Sequence, residues 1–167
     1  MSQTAQQEIV VGVTGSRASV AALRWAADEA GRRGARLSVI CAWEPSPPRA
    51  PYANLAGAHP ELGEARAALY GGLAAAIRTA FGPVPPADVD TELAEGMPER
   101  VLISRAATAD LLVLGTARPR DAAGLSVGPV LRTCLSRSRC PVVVVSAGAD
   151  PEAGQRPDAA RVTALTG

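Results

Sequence analysis

Two glycines on either side of a basic loop form the stretch of this sequence best suited to chemistry. Gly115 ends a short apolar run, and Gly128 opens a segment with the apolar spacing of a helix. The free N–H groups and the dipole at a helix N-terminus attract phosphate groups in many α/β proteins. The stretch therefore predicts a phosphate-binding crevice, and its candidate residues are Leu114, Gly115, Arg118, Gly128 and Val130.

The elements that must position this loop alternate regularly along the chain. Short apolar runs predict buried strands, and segments with apolar residues every three to four positions predict helices between them. Strands that alternate with helices favour a parallel sheet covered on both faces, which is a single three-layer α/β domain. The predicted strands are residues 9–13, 36–43, 89–93, 111–114 and 142–145, and the predicted helices begin after Ser16, near Leu62, after Gly96 and at Pro129.

Four segments of the sequence stand out besides the glycine loop: V-V-G-V-T-G-S from Val10, A-L-R-W-A-A-D-E-A from Ala22, A-E-G-M-P from Ala94 and C-P-V-V-V-V from Cys140. In content and order, they resemble the universal stress protein family. The resemblance implies a Rossmann-like fold of the adenine-nucleotide α-hydrolase-like type, with five parallel strands in the order 3-2-1-4-5. Ligands of such sheets bind at the carboxyl ends of the strands, where the direction of the connections switches. This placement adds Val13, Thr14 and Ala42 to the candidate binding residues.

The loop departs from the family's nucleotide-binding pattern, which is a glycine, two residues, a glycine, nine residues, and a glycine followed by serine or threonine. Gly115 and Gly128 match, but Arg118 replaces the second glycine and Pro129 replaces the hydroxyl residue. Thr14 stands where nucleotide-binding members carry an aspartate. Proline removes a hydroxyl and a backbone N–H together. We therefore expect binding of ATP or ADP with magnesium to be weakened or lost.

Two functions follow from the resemblance and remain open. The first is a stress-response module that acts by binding a protein partner, without catalysis, either alone or with a nucleotide as a switch. The alternative is an ATP-binding member with slow ATPase or nucleotide-transfer activity, in which Arg118 and Arg120 pair directly with phosphate. No catalytic residue is assigned, because the single histidine, His59, lies in the proline-rich loop 44–60 and is expected to be a surface residue.

Composition excludes several other classes of protein. The net charge is +1, so bulk electrostatics give no reason to expect nucleic acid or an anionic membrane as a partner. All 17 basic residues are arginine, which excludes catalytic lysine chemistry. Three dispersed cysteines and one histidine predict free thiols and no metal site. No signal peptide or bilayer-spanning run is expected, so the sequence predicts a cytoplasmic protein.

The ends of the chain and its last apolar strand complete the expected organisation. Residues 1–8 are predicted to be a flexible arm, residues 9–147 the domain, and residues 148–167 a disordered tail. An exposed apolar strand at a sheet edge tends to aggregate unless another strand covers it. The resemblance implies dimerisation through the last strand, so a homodimer is expected through Val142, Val143, Val144 and Val145.

Overall fold

A computed structural model describes residues 6–45, 60–86, 88–117, 120–121, 124–125, 127–147 and 161–165, with backbone alone for 60–62, 120–121, 124–125 and 161–165. The elements of this part of the chain alternate between strands and helices from the start. In order, they are β1 (Glu8–Gly12), α1 (Arg17–Arg33), β2 (Arg36–Trp43), α2 (Pro60–Phe81), β3 (Val89–Glu95), α3 (Pro98–Ala106), β4 (Leu111–Thr116), β5 (Arg120–Asp121), β6 (Gly124–Leu125), α4 (Pro129–Arg137), β7 (Val142–Ser146) and β8 (Arg161–Leu165).

Five of these strands form a parallel sheet in the order β3-β2-β1-β4-β7, which confirms the predicted order 3-2-1-4-5. β1 pairs with β2 from Glu8 opposite Arg36, and with β4 from Ile9 opposite Leu111. After β3 the chain returns across the sheet and places β4 on the other side of β1. The carboxyl ends of β1 and β4 are therefore neighbours at the point where the connections change direction.

Helices cover both faces of the sheet and give the domain three layers. α1 and α2 pack on the face that contains Val11 and Val113, whereas α3 and α4 pack on the face that contains Val10 and Leu112. Successive residues of a strand point to opposite faces, so a strand buried on both sides must be apolar at every position. Val10, Val11, Leu112 and Val113 are all at most 1% exposed. This double burial accounts for the unbroken apolar runs of the sequence.

The first helix begins after Ser16, as the sequence predicts, and ends before Gly34. Ser16 caps the N-terminus of α1: its side chain accepts a hydrogen bond from the N–H of Ser19 at 3.2 Å. Gly34 ends the helix with φ 63° and ψ 31°, and its N–H donates to the carbonyl of Ala30. This left-handed conformation is unfavourable for residues with a Cβ, so glycine suits the position. Arg32 and Arg33 in the last turn both pair with Glu29.

The second helix is buried along only part of its length. Leu73 and Ala76 are buried against α1 and the sheet, whereas Ala65, two turns earlier, is exposed. Arg24 of α1 holds the packed end, because its guanidinium donates to the carbonyl of Thr79 at 2.6 Å. None of the helices in the described residues combines the length and apolar character that crossing a membrane requires.

The boundaries of the domain differ from the expected ones at both ends. Glu8, expected in the flexible arm, begins β1, and its N–H donates to Asp110 Oδ2 at 2.8 Å. At the other end, residues 161–165 form β8, antiparallel to β7, and this corrects the expectation of disorder there. Residues 1–5 and 148–160 lie outside the described part of the chain. Residues 161–165 form a strand because they pair with the backbone of β7. The edge of a sheet can order a segment whose own composition does not favour a strand.

Candidate functional site

The candidate residues of β1 and β2 lie at the carboxyl edge of the sheet. Val13 directly follows β1; it is buried, and its N–H donates to the carbonyl of Ile40 at 2.9 Å. Ala42 lies opposite Ala94 near the end of β2 and is half-buried. Thr14 is exposed and comes next after Val13. Backbone pairing thus fixes the carboxyl ends of β1 and β2, and Thr14 is the first exposed side chain after β1.

The turn after β1 uses its hydroxyl groups internally. Thr14 Oγ1 donates to Ser16 Oγ at 3.1 Å and accepts from the Ser16 N–H at 3.4 Å. Gly15 between them has φ 82°, a conformation that favours glycine. An aspartate at position 14 would accept hydrogen bonds and carry a negative charge, whereas Thr14 is neutral and already hydrogen-bonded. The turn therefore offers no carboxylate to a ribose or a metal ion.

Gly115 marks a close approach between β4 and α1. A Cβ on Gly115 would lie 2.3 Å from the carbonyl oxygen of Ala18 and 2.8 Å from the nitrogen of Ser19. Both atoms belong to the first turn of α1, so side-chain rotation cannot relieve the overlap. The structure thus gives the first glycine of the loop pattern a packing role at the crevice, whether or not a ligand binds there.

The N-terminus of α4 is intact as a helix end but has fewer donors than a serine or threonine would supply. Gly128 is the N-cap, with φ −72° and ψ 169°, and no side chain of the described residues caps the helix. Pro129 occupies the first helical position and has no N–H. The first intrahelical bond runs from the Arg132 N–H to the Gly128 carbonyl at 2.9 Å. The N–H groups of Val130 and Leu131 precede that bond and point out of the helix end.

Several residues of the predicted site lie outside the described part of the chain or away from the open crevice. Arg118 lies outside the described residues, as do His59 and most of the proline-rich loop 44–60. Arg120 belongs to β5, a short strand antiparallel to β6, and its backbone alone is described. Leu114 is buried in the core, and the half-buried Val130 packs against the same apolar cluster. A ligand-binding role for the eight candidate residues stays a prediction.

A cavity of about 550 Å³ opens beside Thr14 and Gly15, on the side of α1 and α2. Neither Gly115 nor Gly128 lines it, so it extends away from the glycine loop. Sequence analysis missed this side of the edge, since the contact between α1 and α2 depends on tertiary packing. The sequence signals this cavity only through the seven-residue spacing of Arg17 and Arg24, which places both on one face of α1. The lining residues are Thr14, Gly15, Arg17, Val20, Arg24, Gly72, Ala75, Ala76 and Thr79.

The cysteines have the character of core residues rather than of reactive groups. Cys41 and Cys134 are buried, and Cys140 is half-buried. Burial raises the pKa of the Cys41 thiol, and burial together with the nearby Glu99 carboxylate raises the pKa of Cys134 to about 11. No group of three or more metal-binding side chains gathers within the described residues.

These thiols should resist alkylation in the folded protein. With a pKa of about 11, Cys134 holds on the order of one thiolate per thousand molecules at pH 8. We expect iodoacetamide to modify Cys41 and Cys134 at least about 100-fold more slowly in the native protein than in urea, with Cys140 as the internal reference. Peptide mass mapping measures each site. Rapid native modification of Cys134 would contradict its placement on the buried face of α4.

Known proteins resemble this chain over nearly all of its domain. The sequence model of the universal stress protein family matches residues 6–146 of the chain. The chain belongs to the universal stress protein family. The chain is also similar to universal stress protein Rv2028c of Mycobacterium tuberculosis, with 33% identity over 141 residues. That alignment covers 82% of this chain and 47% of the relative, so the chain spans about half the length of the curated relatives it matches.

Solved universal stress proteins share the fold. UspA from Lactobacillus plantarum superimposes with a TM-score of 0.63 at 24% identity, over 84% of this chain and 99% of its own. A second universal stress protein, whose crystal structure is a complex with cAMP, superimposes with a TM-score of 0.57 at 26% identity. That superposition covers 86% of this chain and 98% of the other. The adenine-nucleotide α-hydrolase-like fold is thereby confirmed.

Proposed function

We propose that this universal stress protein acts in the cytoplasm by binding a protein partner, and that its ATP binding is weakened or lost. The observation that carries the proposal is the start of α4, where Pro129 supplies neither a hydroxyl nor an N–H toward the crevice. The neutral, internally bonded Thr14 supports it from the facing strand. Without strong nucleotide binding, the surface of the domain is what remains for a stress-response role.

The lost donors are large enough to decide the affinity. A hydrogen bond to a charged phosphate contributes about 1.5–3 kcal/mol, which corresponds to roughly 10- to 100-fold in affinity. Pro129 removes two such donors at one position. The remaining N–H groups of Val130 and Leu131, with the helix dipole, retain part of the attraction. A micromolar site would therefore weaken toward millimolar.

Titration of ATP and ADP with magnesium tests this proposal. We expect negligible binding at micromolar nucleotide, and recovery by about 10-fold or more in Pro129→Ser, with a further gain in Arg118→Gly/Pro129→Ser. Pro98→Ser is the matched control, because α3 also begins with a proline and lacks a side-chain cap. Low-micromolar binding by the unaltered chain would overturn the proposal. If the double variant also fails to bind, Thr14→Asp becomes the next restoration to try.

The alternative is an ATP-binding member with slow ATPase or nucleotide-transfer activity. Two observations favour it: the spacing of Gly115 and Gly128, and the structural similarity to a universal stress protein in complex with cAMP. It requires Arg118 and Arg120 to replace the lost donors. Phosphate release with magnesium, compared between the unaltered chain and Arg118→Ala/Arg120→Ala, separates the two functions. Release that depends on both arginines would support the alternative.

A further inference from the structure

The two edges of the parallel sheet are very different in character. β3 carries charged side chains, and two of them form ion pairs with neighbouring elements: Asp90 with Arg36 at 3.8 Å, and Glu92 with Arg105. Charges on an edge strand discourage pairing with another chain. β7 has no charged residue, and its four valines are at most 4% exposed, because helices cover both of its faces. Its outer backbone edge is the one suited to adding a strand.

The backbone of β7 shows which groups face outward. The N–H of Leu112 donates to the Pro141 carbonyl, and the N–H of Ala147 donates to the Thr116 carbonyl. The backbone N–H and C=O groups of residues 141 and 147 therefore point toward β4. Because these groups alternate along a strand, those of residues 143 and 145 do so too. The backbone groups of Val142, Val144 and Ser146 point away from β4, toward the outer edge.

β8 occupies that outer edge within the chain. It pairs antiparallel with β7 over five positions, from Val142 opposite Leu165 to Ser146 opposite Arg161. Since Val144 points outward, Val144 and Thr163 form a hydrogen-bonded pair in which the Thr163 N–H donates to the Val144 carbonyl. The N–H groups of Val162 and Ala164 point away from β7. The family match ends at residue 146, so β8 lies outside the segment shared with the family.

We propose that β8 is this chain's own competitor for the β7 edge, which it keeps closed against a second copy. The homodimer expected through Val142 to Val145 needs the same backbone groups that β8 uses. Edge-to-edge pairing of two β7 strands thus requires β8 to leave. Oligomeric state is set by whether β8 is docked, independently of whether nucleotide binds.

Chain connectivity favours the docked state. Residues 147–160 join β7 to β8, and they need only return the chain to an adjacent antiparallel strand. A short tether presents its attached strand at an effective concentration on the order of millimolar. A second chain at micromolar concentration is about a thousandfold more dilute. For pairings of similar intrinsic strength, β8 therefore outcompetes the second copy.

Sedimentation velocity at micromolar concentration tests this competition. We expect the full chain to be monomeric and the chain ending at Ala147 to self-associate. A synthetic peptide of residues 159–167 should return the shortened chain to the monomer. Two outcomes would overturn the proposal: a full chain that self-associates as strongly as the shortened one, or a shortened chain that stays monomeric.

Proline substitutions in the full chain separate edge pairing from misfolding of a shortened protein. Thr163→Pro removes the N–H that donates to Val144, so it should behave like the shortened chain. Ala164→Pro is the matched control, since its N–H faces away from β7, and proline is tolerated at such edge positions. Circular dichroism checks that both variants keep the parallel sheet. Equal self-association of the two proline variants would contradict the proposed role of β8.

Discussion

Replacement of Gly115 by alanine should destabilise the domain by about 4 kcal/mol or more, which is an exceptionally large effect for one methyl group. The added Cβ would lie 2.3 Å from the carbonyl oxygen of Ala18, so α1 must move as a body away from β4. The total stability of a domain of this size is about 5–15 kcal/mol. Urea denaturation monitored by circular dichroism measures the loss.

Gly128→Ala is the matched control for this substitution, because it changes the other glycine that matches the loop pattern. No described neighbour lies within 4 Å of the added Cβ, and φ at Gly128 is −72°, which alanine adopts freely. We expect a cost of only about 0.5–1 kcal/mol, from the weaker N-cap. Equal stability of the Gly115→Ala and Gly128→Ala variants would contradict the close contact between β4 and α1 at Gly115.

The fold could be predicted from the sequence because its signals are local. Doubly buried strands read as unbroken apolar runs, and Ser16 and Gly34 mark the ends of α1 through their own hydrogen bonds and dihedral angles. The strand order required the family resemblance, since periodicity carries no information about which strands are neighbours. β8 was missed because its order depends on the open edge of β7, 15 residues earlier in the chain at the closest pair.

The candidate site could be predicted only in outline. Parallel strands bring Thr14, Ala42 and Gly115 to one edge, and this followed from topology. The reason for Gly115 did not follow, because its neighbour Ala18 is almost a hundred positions away in the sequence. A glycine that receives a helix and a glycine that receives a phosphate look alike in a sequence. The two roles are distinguished only in the structure, by the atoms that a Cβ at the glycine would contact.

The second large effect concerns the packing beneath the crevice, where β1 meets β4. A Cβ on Gly12 would lie 2.7 Å from Leu114 Cδ2 and 3.1 Å from Leu102 Cδ2. Both neighbours are ends of flexible side chains, so Gly12→Ala should cost about 1–3 kcal/mol, less than Gly115→Ala. Leu114 is 6% exposed, and Leu114→Ala should cost about 2–5 kcal/mol through the cavity it leaves.

Gly12→Ala and Leu114→Ala combined in one protein should lower its stability by less than the sum of their separate effects. Leu114→Ala removes the 2.7 Å overlap, so the methyl group added at position 12 occupies part of the new cavity, and the next nearest atom is Leu102 Cδ2 at 3.1 Å. We expect a favourable coupling of about 1 kcal/mol or more in a double-mutant cycle.

Leu112→Ala supplies the control, because Leu112 is fully buried on the same face but is not among the nearest neighbours of the added Cβ. Its pair with Gly12→Ala should be additive within about 0.5 kcal/mol. Additivity of the Gly12 and Leu114 pair would show that Leu114 does not form the floor of the crevice against β1.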